Sequence, residues 1–426
     1  MYQAPRGTQD ILPAEQPYWS HVLRRIEHFT RLYGYERLSV PTFEETAIFA
    51  RGIGAGTDIV DKEMYTFQDR GGDSLTLRPE FTAGIVRAYL EHGLYSRPQP
   101  LRLYDLGSCF RYERPQAGRY REHHQLSLEA LGELDPALDV EIMTLTWALY
   151  DDLGFRNLAF QINSIGCPKC RPAYLERLVA YYREHQAALC PDCQRRLTVN
   201  PMRLLDCKAD QCQPIANAAP GAVAFLCPEC REHFADLRRY LDLLQRPYTL
   251  NHRLVRGLDY YTRTVFEVWA ADIGAQASVC GGGRYDVLAE LLGGPPTPGV
   301  GVGIGLERII LTLKAQGIAV PPPPRPVAAV LYRGGAAKEV ALRLLAELRA
   351  AGLPVTCTYG ARSLKAQMRQ ADRAGVAYAL LIGDEEVAAG VVTLRDLAAG
   401  TQETVPLGEV VGRLRKGEQA SASRRF

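Results

Sequence analysis

GSCFRYERPQAGRYREHHQLSLEALG, residues 107–132, alternates in character on either side of a basic loop. Before the loop, Gly107, Cys109, Arg111 and Glu113 fall on one face, with Phe110 and Tyr112 on the other. After it, Gln125, Ser127 and Glu129 share a face, opposed by Leu126, Leu128 and Ala130. The pattern predicts two strands joined across Arg114–Arg121 as a long hairpin. One face is apolar and belongs on a core. The other carries an arginine, a glutamine and glutamates, which suits a solvated sheet surface as well as a ligand-binding one until the rest of the chain is considered.

Toward the N-terminus, residues 15–33 read as an amphipathic helix ended by Gly34, followed by a short strand, YERLSVP, that stops at Pro41. EETAIFARGIGAGTDIV reads as loop-rich. MYTFQDRGGDSLTLRPEFT holds two strands about an Arg-Gly-Gly-Asp turn and leads into a helix over 83–92. Glu80 and Thr82 therefore lie where a strand hands over to a helix, a place for a polar ligand or, equally, for a cap.

Toward the C-terminus, a helix over 136–153 and a strand over 159–164 precede RGLDYYTRTVFEVW (256–269), where Arg256, Asp259, Tyr260 and Tyr261 cluster. VCGGGRYD, residues 279–286, implies backbone packed closely against a ligand or another strand. GVGVGIGLER (299–308) places glycine at 299, 301, 303 and 305. As a strand it has one bare face, on which a flat ring can lie, and one apolar face. The helix that follows carries Arg308 in its first turn. Arginine there opposes the helix macrodipole, which suits a residue serving an anion such as phosphate. Close strand packing without a nucleotide is the plainer alternative.

The 426 residues imply two or three domains. A 47% hydrophobic and 23% charged composition is that of a globular chain. There is no apolar run of membrane-span length and no signal pattern, so a cytoplasmic protein without a membrane is expected. A net charge of +2 gives no global field for nucleic acid. Arginine outnumbers lysine along the whole chain, which weakens any single arginine as a signal.

Eight of the eleven cysteines lie between Cys167 and Cys230, six of them in the pairs Cys167/Cys170, Cys190/Cys193 and Cys227/Cys230. In a cytosolic setting this spacing points to metal before disulfides. Zinc on Cys167, Cys170, Cys227 and Cys230 is the simplest set, with packed reduced thiols as the alternative. Helical segments at 171–187 and 229–244 make this region look like an insertion into a larger sheet domain. Pro321–Pro324 form a stiff linker. Beyond it strands and helices alternate as a small open α/β domain.

These motifs together resemble the histidyl-tRNA synthetase family. Phe110-Arg111-Tyr112-Glu113 is similar to motif 2 of class II aminoacyl-tRNA synthetases, the glycine strand with Glu307 and Arg308 to motif 3, and the helix–strand ending at Pro41 to motif 1. RGLDYYTRTVFEV and GGGRYD resemble the two signatures of the histidine enzyme, and RSLKAQMRQA (362–371) its anticodon-binding domain. The resemblance implies an α+β fold: an antiparallel-sheet catalytic core with a Cys-rich insertion, then a small α/β, mixed-sheet anticodon-binding domain. The expected boundaries are 1–165 and 247–318 for the two parts of the core, 166–246 for the insertion, 319–326 for the linker, 327–415 for the anticodon domain and 416–426 for a flexible tail.

The resemblance further implies a homodimeric ligase that joins L-histidine to tRNA(His) through a histidyl-adenylate made from ATP. It assigns Arg111 to the α-phosphate, Arg308 to the γ-phosphate, and Arg256 to the space between substrate carboxylate and α-phosphate. Glu113 and His123 join the ATP site, with Mg²⁺ at the pyrophosphate end. Glu80, Thr82 and Gln125 would hold the α-ammonium, and Glu129, Tyr260 and Tyr261 the imidazole. Arg114 and Gln116 would face the tRNA acceptor end. Relatives often carry Phe where this chain has His123; a neutral imidazole can still stack on adenine. Two other functions are weighed: the non-catalytic, histidine-binding regulatory paralogue of ATP phosphoribosyltransferase, and a zinc-ribbon nucleic-acid binder. Both anticodon domain and Arg/Tyr signature are intact here, which disfavours the first. The motifs outside 167–230 are not needed for the second.

Overall fold

The computed structural model describes residues 2–54, 57–114, 118–270 and 278–422. Two compact units divide between Pro321 and Pro322, inside the expected linker.

The first unit is built on an eight-stranded sheet. Its order is Glu36–Arg37, Leu101–Phe110, Glu122–Leu131, Gly299–Gly305, Ser278–Arg284, Thr262–Ala270, Leu158–Ser164 and Tyr248–Leu250. The two edge pairs are parallel and all inner pairs antiparallel. The hairpin expected from residues 107–132 is the longest ladder, with Phe110 opposite Glu122 and Leu101 opposite Leu131. Its second strand pairs with the glycine strand, Glu129 opposite Gly301 and Gln125 opposite Gly305.

Both faces of this sheet are covered. Leu126, Leu128 and Ala130 pack with Val300, Val302 and Ile304 against the helices Gln16–Leu32, Pro136–Asp152 and Leu306–Ala315. On the other side, the helix Thr82–Glu91 and the cysteine-rich segment cover Cys109, Leu103 and Val265. The polar hairpin face is therefore no solvated surface: Ser127 and Glu129 are fully buried.

Three details differ from expectation. The first hairpin strand stops at Phe110, because the Tyr112 amide is diverted to the Glu63 carbonyl at 2.7 Å; the loop thus begins at Arg111. Thr46–Ile53, read as loop, is a helix: Phe49 and Ile53 are fully buried, and this packing outweighs the cost of Gly52. Residues 416–422, expected as part of a loose tail, continue the helix Val410–Ala422.

The second unit is a five-stranded mixed sheet in the order Val355–Cys357, Ala328–Tyr332, Tyr378–Ile382, Val391–Asp396 and Gln402–Pro406. The first three strands are parallel and the last two antiparallel. Helices Gly335–Ala350 and Leu364–Ala374 supply the crossovers. Among the described residues no helix is long and apolar enough to cross a membrane.

Candidate active site

The glycines of the two central strands make room for polar side chains. A methyl at Gly281 would run into the Arg256 guanidinium, and one at Gly301 into the Glu129 carboxylate. At Gly303 a methyl would lie 3.0 Å from Gln125 Nε2. The bare face is thus a floor for Arg256, Glu129 and Gln125.

Glu129 is the most buried acid there. Oε1 accepts from Thr82 Oγ1 at 2.7 Å and Ser127 Oγ at 2.8 Å, and Oε2 accepts from the Tyr285 hydroxyl. Burial pushes its carboxyl up to about 8, against those three donors, and the nearby Glu80 pushes the same way. The Tyr260 ring packs at 4.8 Å from Tyr261 and 5.7 Å from Tyr285, all three buried. Together these side chains make a walled slot with a buried acceptor, a place suited to a flat ring that carries an N–H.

Glu80 stands beside it. Its carboxylate accepts from the amides of Thr82 at 2.5 Å and Ala83 at 2.9 Å, so Glu80 caps the helix Thr82–Glu91. Burial raises its pKa, and the amides oppose that rise. Thr82 is no cap, since its hydroxyl is turned to Glu129.

The three expected arginines converge. Arg111 Nε donates to the Pro79 carbonyl at 2.8 Å, next to Glu80. Arg256 Nη1 donates to Glu267 Oε1 at 2.5 Å, while its Nε is buried without a partner. Arg308 Nη1 donates to the Ser278 carbonyl at 2.5 Å. Burial lowers the pKa of Arg308; Arg119 and Arg256 push it down further, against Glu267 and Glu113. His123 feels the charge of two of these cations. Burial, then the charges of Arg111, His124 and Arg308, press its ring down to about 3, so it is neutral at physiological pH. Three guanidinium groups gathered about one space, with only Glu267 in close contact with any of them and Glu113 at 4.0 Å from Arg111, suit an anion.

Glu113 sits 3.4 Å from Arg119 and 4.0 Å from Arg111. Arg114 is exposed, and Gln116 lies outside the described residues. His124, by contrast, is structural: Nδ1 is 2.8 Å from Glu307, and its ring meets Trp19 edge-on.

Sequence reasoning missed Glu267 and Tyr285 as site residues. Glu267 carried a signal, as the lone acid in the strand Thr262–Ala270. Tyr285 was visible only as part of a quoted motif.

The four thiols of Cys167, Cys170, Cys227 and Cys230 come together, all within 4.8 Å of one another. The Sγ···Sγ separations are 3.8 Å for Cys167–Cys170 and 3.9 Å for both Cys167–Cys227 and Cys170–Cys230.

With this geometry in hand, comparison with known proteins is decisive. The family model for histidyl-tRNA synthetase matches residues 7–171 and 211–309, and that for an anticodon-binding domain matches 327–417. A histidine–tRNA ligase of Dehalococcoides mccartyi is 51% identical, over 98% of this chain and 100% of its own. One from Pelotomaculum thermopropionicum is 52% identical over 97% of each. The crystal structure of apo histidyl-tRNA synthetase from S. aureus, 36% identical, superposes with a TM-score of 0.82 over 97% of this chain and 100% of that one.

Proposed function

Because this chain belongs to the histidyl-tRNA synthetase family and joins L-histidine to the 3′ end of tRNA(His), we propose that the buried cleft over the glycine strands is where both half-reactions occur. Full-length ligase relatives favour this activity over the regulatory paralogue.

The observation that carries the reading is the convergence of Arg111, Arg256 and Arg308 beside the Glu129 slot. In the first step the histidine carboxylate attacks the α-phosphorus of ATP and pyrophosphate leaves. An anion must approach a polyanion, and the three guanidinium groups offset that repulsion. Arg111 holds the α-phosphate, Arg308 the γ-phosphate, and Arg256 bridges carboxylate and α-phosphate with its planar fork. Glu80 and Gln125 receive the α-ammonium, with Thr82 set between Glu80 and Glu129. Glu129, walled by Tyr260 and Tyr261, accepts the imidazole N–H. Mg²⁺ enters with ATP; Glu113 and Glu267, whose charges both reach Arg308, would be the hard oxygen donors available to it. In the second step the terminal ribose hydroxyl of the tRNA attacks the acyl carbon and AMP leaves. No protein nucleophile is needed.

The loop bearing Arg114 and Gln116 faces the acceptor end, and the second unit contacts the anticodon. Homodimerisation is proposed from the motif 1 resemblance. The exposed Phe43 and Phe67, packed edge-on at 6.3 Å, support an apolar contact surface near that motif. The cytoplasm is the compartment that holds these substrates. Zinc suits Cys167, Cys170, Cys227 and Cys230, whose 3.8–3.9 Å spacings match the ~3.8 Å edge of a tetrahedron with ~2.3 Å Zn–S bonds. When bound it would tie the start of the helix Arg171–Glu184 to that of Pro228–Leu243.

ATP–pyrophosphate exchange tests the site. Exchange is expected with L-histidine and with no other amino acid. His123→Phe should leave the ATP KM unchanged or lower it by up to about tenfold, the worth of a stacked aromatic pair at ~0.5–1.5 kcal/mol. A large rise in that KM would show that the ring nitrogens, not the ring face, meet the nucleotide.

A further inference from the structure

The insertion holds a second set of thiols that the first set does not explain. Among the described residues, Cys190, Cys193, Cys207 and Cys212 also have all their sulfur atoms within 4.8 Å of one another. Three of the four are buried and Cys190 is half-buried. Their spacing is C-x2-C-x13-C-x4-C. Only the first pair shows the knuckle pattern, which is why the set is hard to see in sequence. Three of these cysteines fall in 172–210, the stretch that the family model leaves unmatched.

The thiols are unpaired, and their geometry fits a metal. All eleven cysteines are free. The Cys190 and Cys207 sulfurs are 3.8 Å apart, nearly twice the ~2.05 Å of a bonded pair. The same distance is the edge of a tetrathiolate tetrahedron about zinc, at ~3.8 Å for ~2.3 Å bonds. The surroundings suit thiolates. The Cys190 amide donates to Cys212 Sγ at 3.3 Å, an N–H···S bond of the kind that supports negative sulfur. Cys190 and Cys193 lie at the start of the helix Pro191–Val199, whose free amides favour negative charge. Arg253 fixes the loop carbonyls, donating to Leu205 O at 2.9 Å and Cys207 O at 3.3 Å, and to Gln213 and Asn217 beyond them.

We propose that Cys190, Cys193, Cys207 and Cys212 bind a zinc ion of their own, separate from the Cys167–Cys230 set. The ion closes the loop between Cys193 and Cys207, and that loop reaches the active site. Asn200 donates to Asp259 Oδ1 at 2.8 Å. Arg196 and Arg203 pair with Asp58 at 2.7 and 3.7 Å. Asn200, Met202 and Arg203 line a small cavity together with Val255, Arg256 and Asp259. The second zinc thus fixes a wall of the space that holds Arg256.

Metal analysis of the full chain, purified without added chelator, tests this. Two zinc equivalents per chain are expected, one for each quartet. Cys207→Ser/Cys212→Ser should retain one, and Cys170→Ser/Cys230→Ser should retain the other one. If either variant fails to fold, ¹¹³Cd NMR of the exchanged wild type decides, with two tetrathiolate resonances expected. A wild type with one equivalent that Cys207→Ser/Cys212→Ser leaves unchanged, or a single cadmium resonance lost only with Cys170→Ser/Cys230→Ser, would overturn the second site while leaving the first intact. Loss of zinc should also speed amide exchange across residues 194–206; unchanged exchange in a zinc-free variant would overturn the role given to the ion.

Discussion

Glu129→Ala is expected to lower histidine-dependent pyrophosphate exchange by about 10³-fold in kcat/KM for histidine. The carboxyl group is the shared acceptor of Thr82, Ser127 and Tyr285. Removing it leaves these hydroxyls and the substrate ring N–H competing for nothing. The substrate N–H left without its acceptor costs ~1–3 kcal/mol, and rearrangement of the emptied slot away from the shape the ring needs adds to it; about 4 kcal/mol in total corresponds to that loss. Glu129→Gln keeps the volume and one acceptor oxygen, so a smaller loss is expected. Activity of Glu129→Ala within tenfold of wild type would remove this residue from histidine recognition.

Arg256→His is expected to act on turnover. The guanidinium is held in place before substrate arrives, by Glu267 on one side and the glycine floor at Gly281 below. Burial works against its charge, and Glu267, Tyr261 and Cys280 together more than restore it. A fixed cation costs little reorganisation when charge develops at the α-phosphate. Losing one such group should lower kcat by about 10²–10³-fold while changing the ATP KM by less than about fivefold. Pre-steady-state measurement of adenylate formation separates the two effects. An unchanged kcat with a raised ATP KM would make Arg256 a binding residue only.

Much of the site was legible because its local patterns are strict. The period-two alternation around residues 107–132 set the hairpin, and it placed Gln125, Ser127 and Glu129 on one face as the ladder has them. The glycine alternation at 299–305 marked a strand that something must approach closely, and Glu129 and Gln125 do so. Other features depend on long-range packing that no local pattern carries. Tyr285 reaches Glu129 from 156 residues away in sequence. Thr46–Ile53 is a helix because Gly52 lets Leu288 come close, a tertiary contact and not a propensity. Cys207 and Cys212 join Cys190 only once the turns Pro201–Leu204 and Asp210–Cys212 fold the loop back.

A crystal structure with L-histidine and a non-hydrolysable ATP analogue bears most directly on the central claim. The guanidinium groups of Arg111, Arg256 and Arg308 are expected within hydrogen-bond distance of one nucleotide's phosphates, with the histidine ring against Glu129. A triphosphate bound elsewhere, leaving those three side chains on Pro79, Glu267 and Ser278, would contradict it.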